Sequence, residues 1–305
     1  MSVRSRVFGV LFVLLWAAGV SPAAGQIEDQ LSAYTGRNAE GYLQPLADAF
    51  GANLNSGLFH SAHIPRTGLT LTLELPMMAV FFGDDDRTFS ATTEGNFTPE
   101  QTTSAPTVVG SGQVKLVTGS GGTQFAFPGG FNLNSFALAV PQLRIGSVMG
   151  TQALIRYIAF NIGDEELGNI SLFGFGLRHS ISQYLSPAFP VDLAGGFFWQ
   201  SLNIGENQQG SSLLSSSAFT VGVQASRRFV VIEPYAGLSL DRHSVDVAYT
   251  SDVAGSELDI DLDFEATSTL HLTLGLCLNL TYFKAYIDYN VASQSSLSFG
   301  GVLGI

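Results

Sequence analysis

The stretch LDIDLDFEATSTLHLTLGLCLNL, residues 258–280, decides the fold. Leu258, Ile260, Leu262, Phe264, Leu270, Leu272, Leu274, Leu276, Leu278 and Leu280 fall on one face. Asp259, Asp261, Asp263, Glu265, Thr267, Thr269, His271, Thr273 and Asn279 fall on the other. A period of two is that of a β-strand, whose side chains alternate between faces. Soluble strands run about 5–6 residues, whereas about 9–11 tilted residues cross a bilayer. The length therefore predicts a membrane strand whose acidic half, Asp259 to Glu265, rises above the outer side.

Outward from this stretch the alternation recurs. It appears in Leu69, Leu71, Leu73 and Leu75, and in Val191, Leu193, Phe197 and Trp199. It appears again in Phe219, Val221 and Val223, in Ile232, Ala236, Leu238 and Leu240, and in Phe283, Ile287, Tyr289 and Val291. Segments of about ten residues, apolar on one face and polar on the other, mark a membrane barrel. Tight connections at Arg227–Arg228, Asn279–Thr281 and near Ser293 contrast with long polar ones at 83–130, 203–216 and 247–257. Within 83–130 the sequence allows either a hairpin at about 87–93 and 107–117 or a loop that folds outside or into the mouth. The fold class is all-β: an antiparallel transmembrane β-barrel of about 10–12 strands, the even total being usual in bacterial barrels.

Composition agrees. Only 12% of residues are charged, about half the usual share for a soluble domain, yet mean hydropathy is +0.26. No run after Gly25 has 18 uninterrupted apolar residues. A closed barrel is one of two structures that satisfy the backbone in lipid. A soluble sandwich or lipocalin-like barrel also alternates, and the pattern by itself does not say which face is inside. Strand length, low charge and aromatic residues near strand ends (Trp199, Tyr282, Phe283, Tyr286, Tyr289) favour lipid.

The N-terminus reads as an export signal. Arg4 and Arg6 precede an apolar run from Val7 to Val20, then Pro22-Ala-Ala-Gly25. That is the order of a cleavable signal peptide, and the run is short for a spanning helix; an uncleaved anchor is the alternative. The expected organisation is 1–25 signal peptide, 26–64 helical plug segment and 65–305 barrel. The net charge of −12 becomes −14 when the two arginines leave, which excludes a nucleic-acid partner. The expected partners are outer-membrane lipid, the barrel-assembly machinery and a small apolar or cationic solute.

Between signal and strands, Leu43, Leu46 and Phe50 fall at helical spacing, with Pro45 in the first turn and Gly51 as a C-cap. A helix from about Leu43 to Phe50 is expected to plug the lumen or cap its periplasmic mouth. Arg156, Arg178, Asp192, Glu233, Asp241, His271, Lys284 and Asp288 are candidate lumen-lining residues, with Arg156 and Arg178 paired to acids such as Asp192 or Glu233. Asp259, Asp261, Asp263 and Glu265 are candidate acidic rim residues. Alternate strand residues stand about 6.8 Å apart, too far for several to hold one ion, so a solvated lining is expected rather than calcium. No metal and no cofactor is expected. The chain has no Gly-x-Ser-x-Gly, His-Glu-x-x-His or phosphate-loop motif, and no enzyme activity is expected, although His243 beside Asp241 and Arg242 could form a rim site. Cys277 is the lone cysteine and reads as a packing residue within a strand.

The sum resembles bacterial outer-membrane β-barrel proteins, and in particular long-chain fatty-acid transporter-like barrels with a helical segment inside the lumen. The residues that carry the likeness are Asn38 to Gly51 and Asn55 to Ala62, with Gly150 to Tyr157 and Gly168 to His179 similar to their strands. The resemblance implies passage of small or hydrophobic solutes, with the helix as partial plug. The alternative is a non-conducting structural or surface-binding barrel. This chain is shorter than such transporters, and it ends on Ile305 rather than the aromatic residue that assembly machinery reads.

Overall fold

The computed structural model describes Tyr34 and residues 36–161, 169–186, 188–205, 214–253, 256–265, 269–280 and 283–304. The expected signal peptide lies outside the described residues. Among the described residues one α-helix, α1 (Gly36–Leu54), precedes sixteen strands. These are β1 (Thr70–Phe81), β2 (Thr88–Thr92), β3 (Thr102–Pro106), β4 (Lys115–Thr118), β5 (Gln124–Phe127), β6 (Ser135–Ala139), β7 (Gln142–Val148) and β8 (Thr151–Asn161). There follow β9 (Asn169–Ser180), β10 (Asp192–Ile204), β11 (Leu214–Ser226), β12 (Ile232–Val253), β13 (Ser256–Glu265), β14 (Thr269–Asn279), β15 (Phe283–Val291) and β16 (Ser296–Gly304).

Among the described residues ten antiparallel walls close a ring. β6 and β7 are one wall, in a single register against β1 and parted where Pro141 lacks an N–H. β13 and β14 together form another wall against β12. β11 pairs with β12 and β1 pairs with β16, so no edge is left unpaired. Tight turns at 149–150 and 227–231, and the end of β16, share one mouth. The 82–134 connection sits at the other, which marks the first as periplasmic and the second as outer.

The exterior explains the solvent. Leu270, Leu272, Leu274, Leu276 and Leu278 all point outward and are exposed, as are Phe173, Phe175, Leu177, Phe219, Val221 and Val223. On β12 the outward apolar series ends at Leu240, and exposed Arg242 follows. This is an apolar band around a closed ring, of the kind that faces hydrocarbon. No described helix is long and apolar enough to cross a membrane; the strands cross it. Tyr289 and Phe283 are exposed on this outer surface. Tyr286, expected beside them, is instead buried inside, stacked on His60 with ring centroids 4.5 Å apart.

The 258–280 stretch is not one continuous face. Asp241 to Ser244 of β12 is a step of three residues, but it faces Thr269 back to Glu265, a step of four. One extra residue turns the alternation over. Below this point the even-numbered leucines face lipid. Above it Leu262 and Phe264 are buried inward, while Asp261 and Asp263 are exposed. Within the expected polar loop at 247–257, the described residues 247–253 and 256–257 are likewise strand, the upper part of β12 and β13. In the 83–130 region β2 pairs with β3, not with 107–117, and a second hairpin joins β4 to β5.

The reason for the turnover lies within. Helix α1 fills the upper lumen, and its Leu43, Ala47, Phe50 and Leu54 form one core with Leu172, Leu202, Val245, Leu262 and Phe264 of the walls. The same core takes in Phe89, Ala91, Ala105, Val108 and Phe127 of the outer hairpins. The helix is longer than the expected Leu43–Phe50, because this apolar surround stabilises turns that would fray in water. Pro45 is interior, not in the first turn. Gly51 is helical, not a cap: a β-carbon there would overlap the ring of His243.

Candidate functional site: the plugged lumen

Residues 55–64 leave α1 and run down the lower lumen towards β1. Ser56 meets Ser296 at 2.7 Å, Ala62 N donates to Ser226 Oγ at 2.9 Å, and His63 meets Asp192 at 3.2 Å near the periplasmic mouth. This irregular segment lies against three consecutive walls that each carry an arginine: Arg144 on β7, Arg156 on β8 and Arg178 on β9.

Arg156 is fully buried and donates to five groups. Its Nη2 reaches the carbonyls of Ser56 and Gly57, both at 2.9 Å. Its Nη1 reaches the Leu54 carbonyl at 3.1 Å and Gln200 Oε1 at 3.4 Å, and its Nε reaches Gln142 Oε1 at 2.9 Å. No carboxylate is in this set. The guanidinium closes the C-terminus of α1, where carbonyls lack helical donors and the helix dipole favours a cation. Arg178 donates to the Ser61 carbonyl and, with the Gln224 amide turned to face it, to Gln224 Oε1. Neither arginine contacts Asp192 or Glu233, the partners expected for them. Asp192 meets His63, and Glu233 accepts from Ser61, Ser226, Asn279 and Arg228.

The opposite walls carry acids. Asp241 on β12 accepts from Thr220 at 2.5 Å and Ser239 at 2.9 Å, and its other oxygen lies 2.5 Å from His271 Nδ1. His271 Nε2 lies 2.8 Å from Asn290 Oδ1, and Asn290 is oriented by donating to Asp288 at 2.6 Å and Ser298 at 3.0 Å. Both ring nitrogens of His271 therefore face acceptors, an arrangement met by the doubly protonated ring. Asp288 also accepts from Tyr235 at 2.7 Å. This network spans β11 to β16. Between it and plug residues Asn55, Gly57, Leu58 and Phe59 lies a small cavity of about 40 Å³, room for water rather than for a larger solute. The plug is thus held to the arginine side and leaves its open space on the acidic side.

Above the cavity, Asp48 of α1 approaches His243 at 4.0 Å. Burial pushes the Asp48 carboxyl up from its ordinary value, opposed by the Gln44 amide that donates to it and by His243. Cys277 is buried beside Tyr235 and Tyr286. Lys284 also lies on the lumen side, and the charges of Arg144 and Glu233 reach it.

Of the expected rim acids, Asp261 and Asp263 face outward at the upper wall, not into the lumen, for the one-residue reason above. The side chains of Asp259 and Glu265 lie outside the described residues. Leu43 and Phe50 are buried in the plug core and Leu46 packs against it. The sequence reading passed over Glu74, Gln142 and Arg144. Glu74 is buried and meets Arg144 at 3.0 Å and Gln142 at 2.6 Å. The alternation of Gln142 and Arg144 with Leu143 and Ile145 was the available signal.

A closed ring with an apolar exterior and a polar, plugged lumen defines an outer-membrane β-barrel protein. The chain belongs to the DUF6588 family, a family of unknown function whose model matches residues 4–305. Among solved structures it is similar to the loop-deleted OmpT outer membrane protein of Vibrio cholerae (11% identity, 79% of this chain and 100% of that one, TM-score 0.29). It is also similar to the toluene transporter TbuX of Ralstonia pickettii (9%, 81% and 90%, TM-score 0.27). A third likeness is to the translocator domain of the autotransporter NalP of Neisseria meningitidis (12%, 93% and 99%, TM-score 0.32). No curated protein matches. With all three TM-scores below 0.5, the membrane assignment rests on the exterior of this barrel itself.

Proposed function

We propose that the protein is a gated barrel, closed at rest, that passes small solutes when its plug moves. The observation that supports this is a plug separate from the walls. Small barrels fill their bore with wall side chains alone, yet here residues 36–64 occupy it and leave a cavity against the acidic wall. The upper core around α1 seals the path, and the lower segment hangs on side-chain contacts to backbone carbonyls. Domain limits of 26–64 for the plug and 65–305 for the barrel, behind a signal peptide at 1–25, belong to the same proposal, as do the lining roles of Asp241, His271 and Asp288.

Liposome swelling tests it. Wild-type protein is expected to admit small sugars slowly, and a variant lacking residues 36–64 to admit them fast. A folded, plug-deleted barrel that stays impermeable would overturn the proposal. A second reading, a non-conducting barrel that binds at the cell surface, is favoured by the single core that joins α1 to the β2–β3 and β4–β5 hairpins.

A further inference from the structure

We propose that the lower lumen binds one small inorganic or carboxylate anion beside Arg178, Arg144 and Tyr286, around the ring of His60. On β7, β8 and β9 three buried guanidinium groups face one contacting carboxylate, Glu74. Arg156 is satisfied by carbonyl and amide oxygens; the other two are not. Arg178 Nη1 and Arg144 Nε are buried donors with no partner among the described residues, and the same holds for the Tyr286 hydroxyl and His60 Nδ1. All four belong to residues less than a tenth exposed.

They gather at one place. Tyr286 stacks on His60, Arg144 Nη1 lies 3.5 Å from His60 Nε2, and Arg178 binds the carbonyl of the next residue, Ser61. The charges of Arg144, Arg178 and Lys284 reach His60, and the one carboxylate beside them, Glu74, lies 3.9 Å from its Nε2. Buried N–H and O–H groups are seldom left unmade, and a buried cation without a counter-charge is costly. Three unpartnered groups that can only donate, or donate best, beside two cations define an acceptor carrying negative charge. A cation is excluded by the same charges. The site sits against the arginine walls and stands whether or not the barrel conducts.

The test uses the full chain, folded in detergent, with chloride as probe. Excess ³⁵Cl NMR line width is measured at constant ionic strength with gluconate as the balancing ion. Wild type is expected to broaden the line saturably, and formate to compete. Arg178→Met is expected to weaken the effect about tenfold or more, the loss of one charged hydrogen bond, while a surface variant, Asp261→Asn, leaves it unchanged. Folding of each variant is read independently from the shift in gel mobility on boiling. Absence of saturable broadening in wild type means that water fills these donors and overturns the proposal, as does unchanged broadening in folded Arg178→Met. Should that variant fail to fold, Tyr286→Phe serves instead: several-fold weaker broadening supports the site, and none lost overturns it.

Discussion

The ring of His243 occupies the place where a side chain on Gly51 would begin. Helix α1 and wall β12 meet there with no room for a methyl group. Gly51→Ala is therefore expected to destabilise plug docking by about 1–3 kcal/mol, the usual cost of overpacking. The temperature at which the fast-migrating unboiled band disappears should fall. His243→Ala in the same chain should recover most of the loss, because it removes the ring and not the helix.

Arg156 holds the lower plug by its backbone. Arg156→Met keeps much of the volume and orphans the carbonyls of Ser56 and Gly57 in a buried place, at about 1–3 kcal/mol for each unsatisfied group. Faster hydrogen exchange across 52–60, with the wall strands still protected, is the expected signature. Equal loss of protection in plug and walls would show that the arginine supports the barrel as a whole.

The two halves of 258–280 should answer alike substitutions differently. Leu274 is 51% exposed in the apolar band, and Leu274→Arg should cost about 2–4 kcal/mol near the membrane midplane. Leu262 is 4% exposed, against the plug, and Leu262→Ala should cost about 2–5 kcal/mol as a core cavity. Asp261→Asn, on the outside next to Leu262, should stay within about 0.5 kcal/mol. Urea unfolding from lipid vesicles measures all three, and a costly Asp261→Asn would contradict the turned-over register.

Asp48 gives a pH dependence with a defined sign. Its folded carboxyl is raised by burial, so the folded state holds its proton more tightly than the unfolded chain does. The stabilisation is full below the ordinary carboxylate value and is lost as pH rises through the raised one. Wild type minus Asp48→Asn, compared by thermal unfolding across pH 3–7, should show wild type losing ground as pH rises. A flat difference would remove Asp48 from the account.

Much of the barrel was legible because the lipid-facing side chains of β9, β11, β12, β14 and β15 repeat with period two, and a membrane leaves few other ways to bury them. The turnover in 258–280 was not legible: Leu262 and Leu274 look alike in sequence, and only the extra residue opposite β12 sends one inward and the other out. The plug helix showed its centre at Leu43 to Phe50, but its ends depend on walls supplied by residues far along the chain. The site was half visible. His271, Asp241 and Asp288 stood out as polar residues on apolar strands, whereas the partners of Arg156 are backbone carbonyls, which leave no mark in sequence.

The pairing of β1 with β16 makes the two extremes of the barrel into neighbours. Nine residue pairs form that seam, from Thr72 opposite Gly304 to Val80 opposite Ser296. Without the final strand, β1 and β15 would each turn a row of bare amides and carbonyls towards hydrocarbon. A barrel lacking even that one strand is thus an unzipped sheet with a loose helix beside it, and β16, more than two hundred residues along from α1, decides whether that helix is held inside.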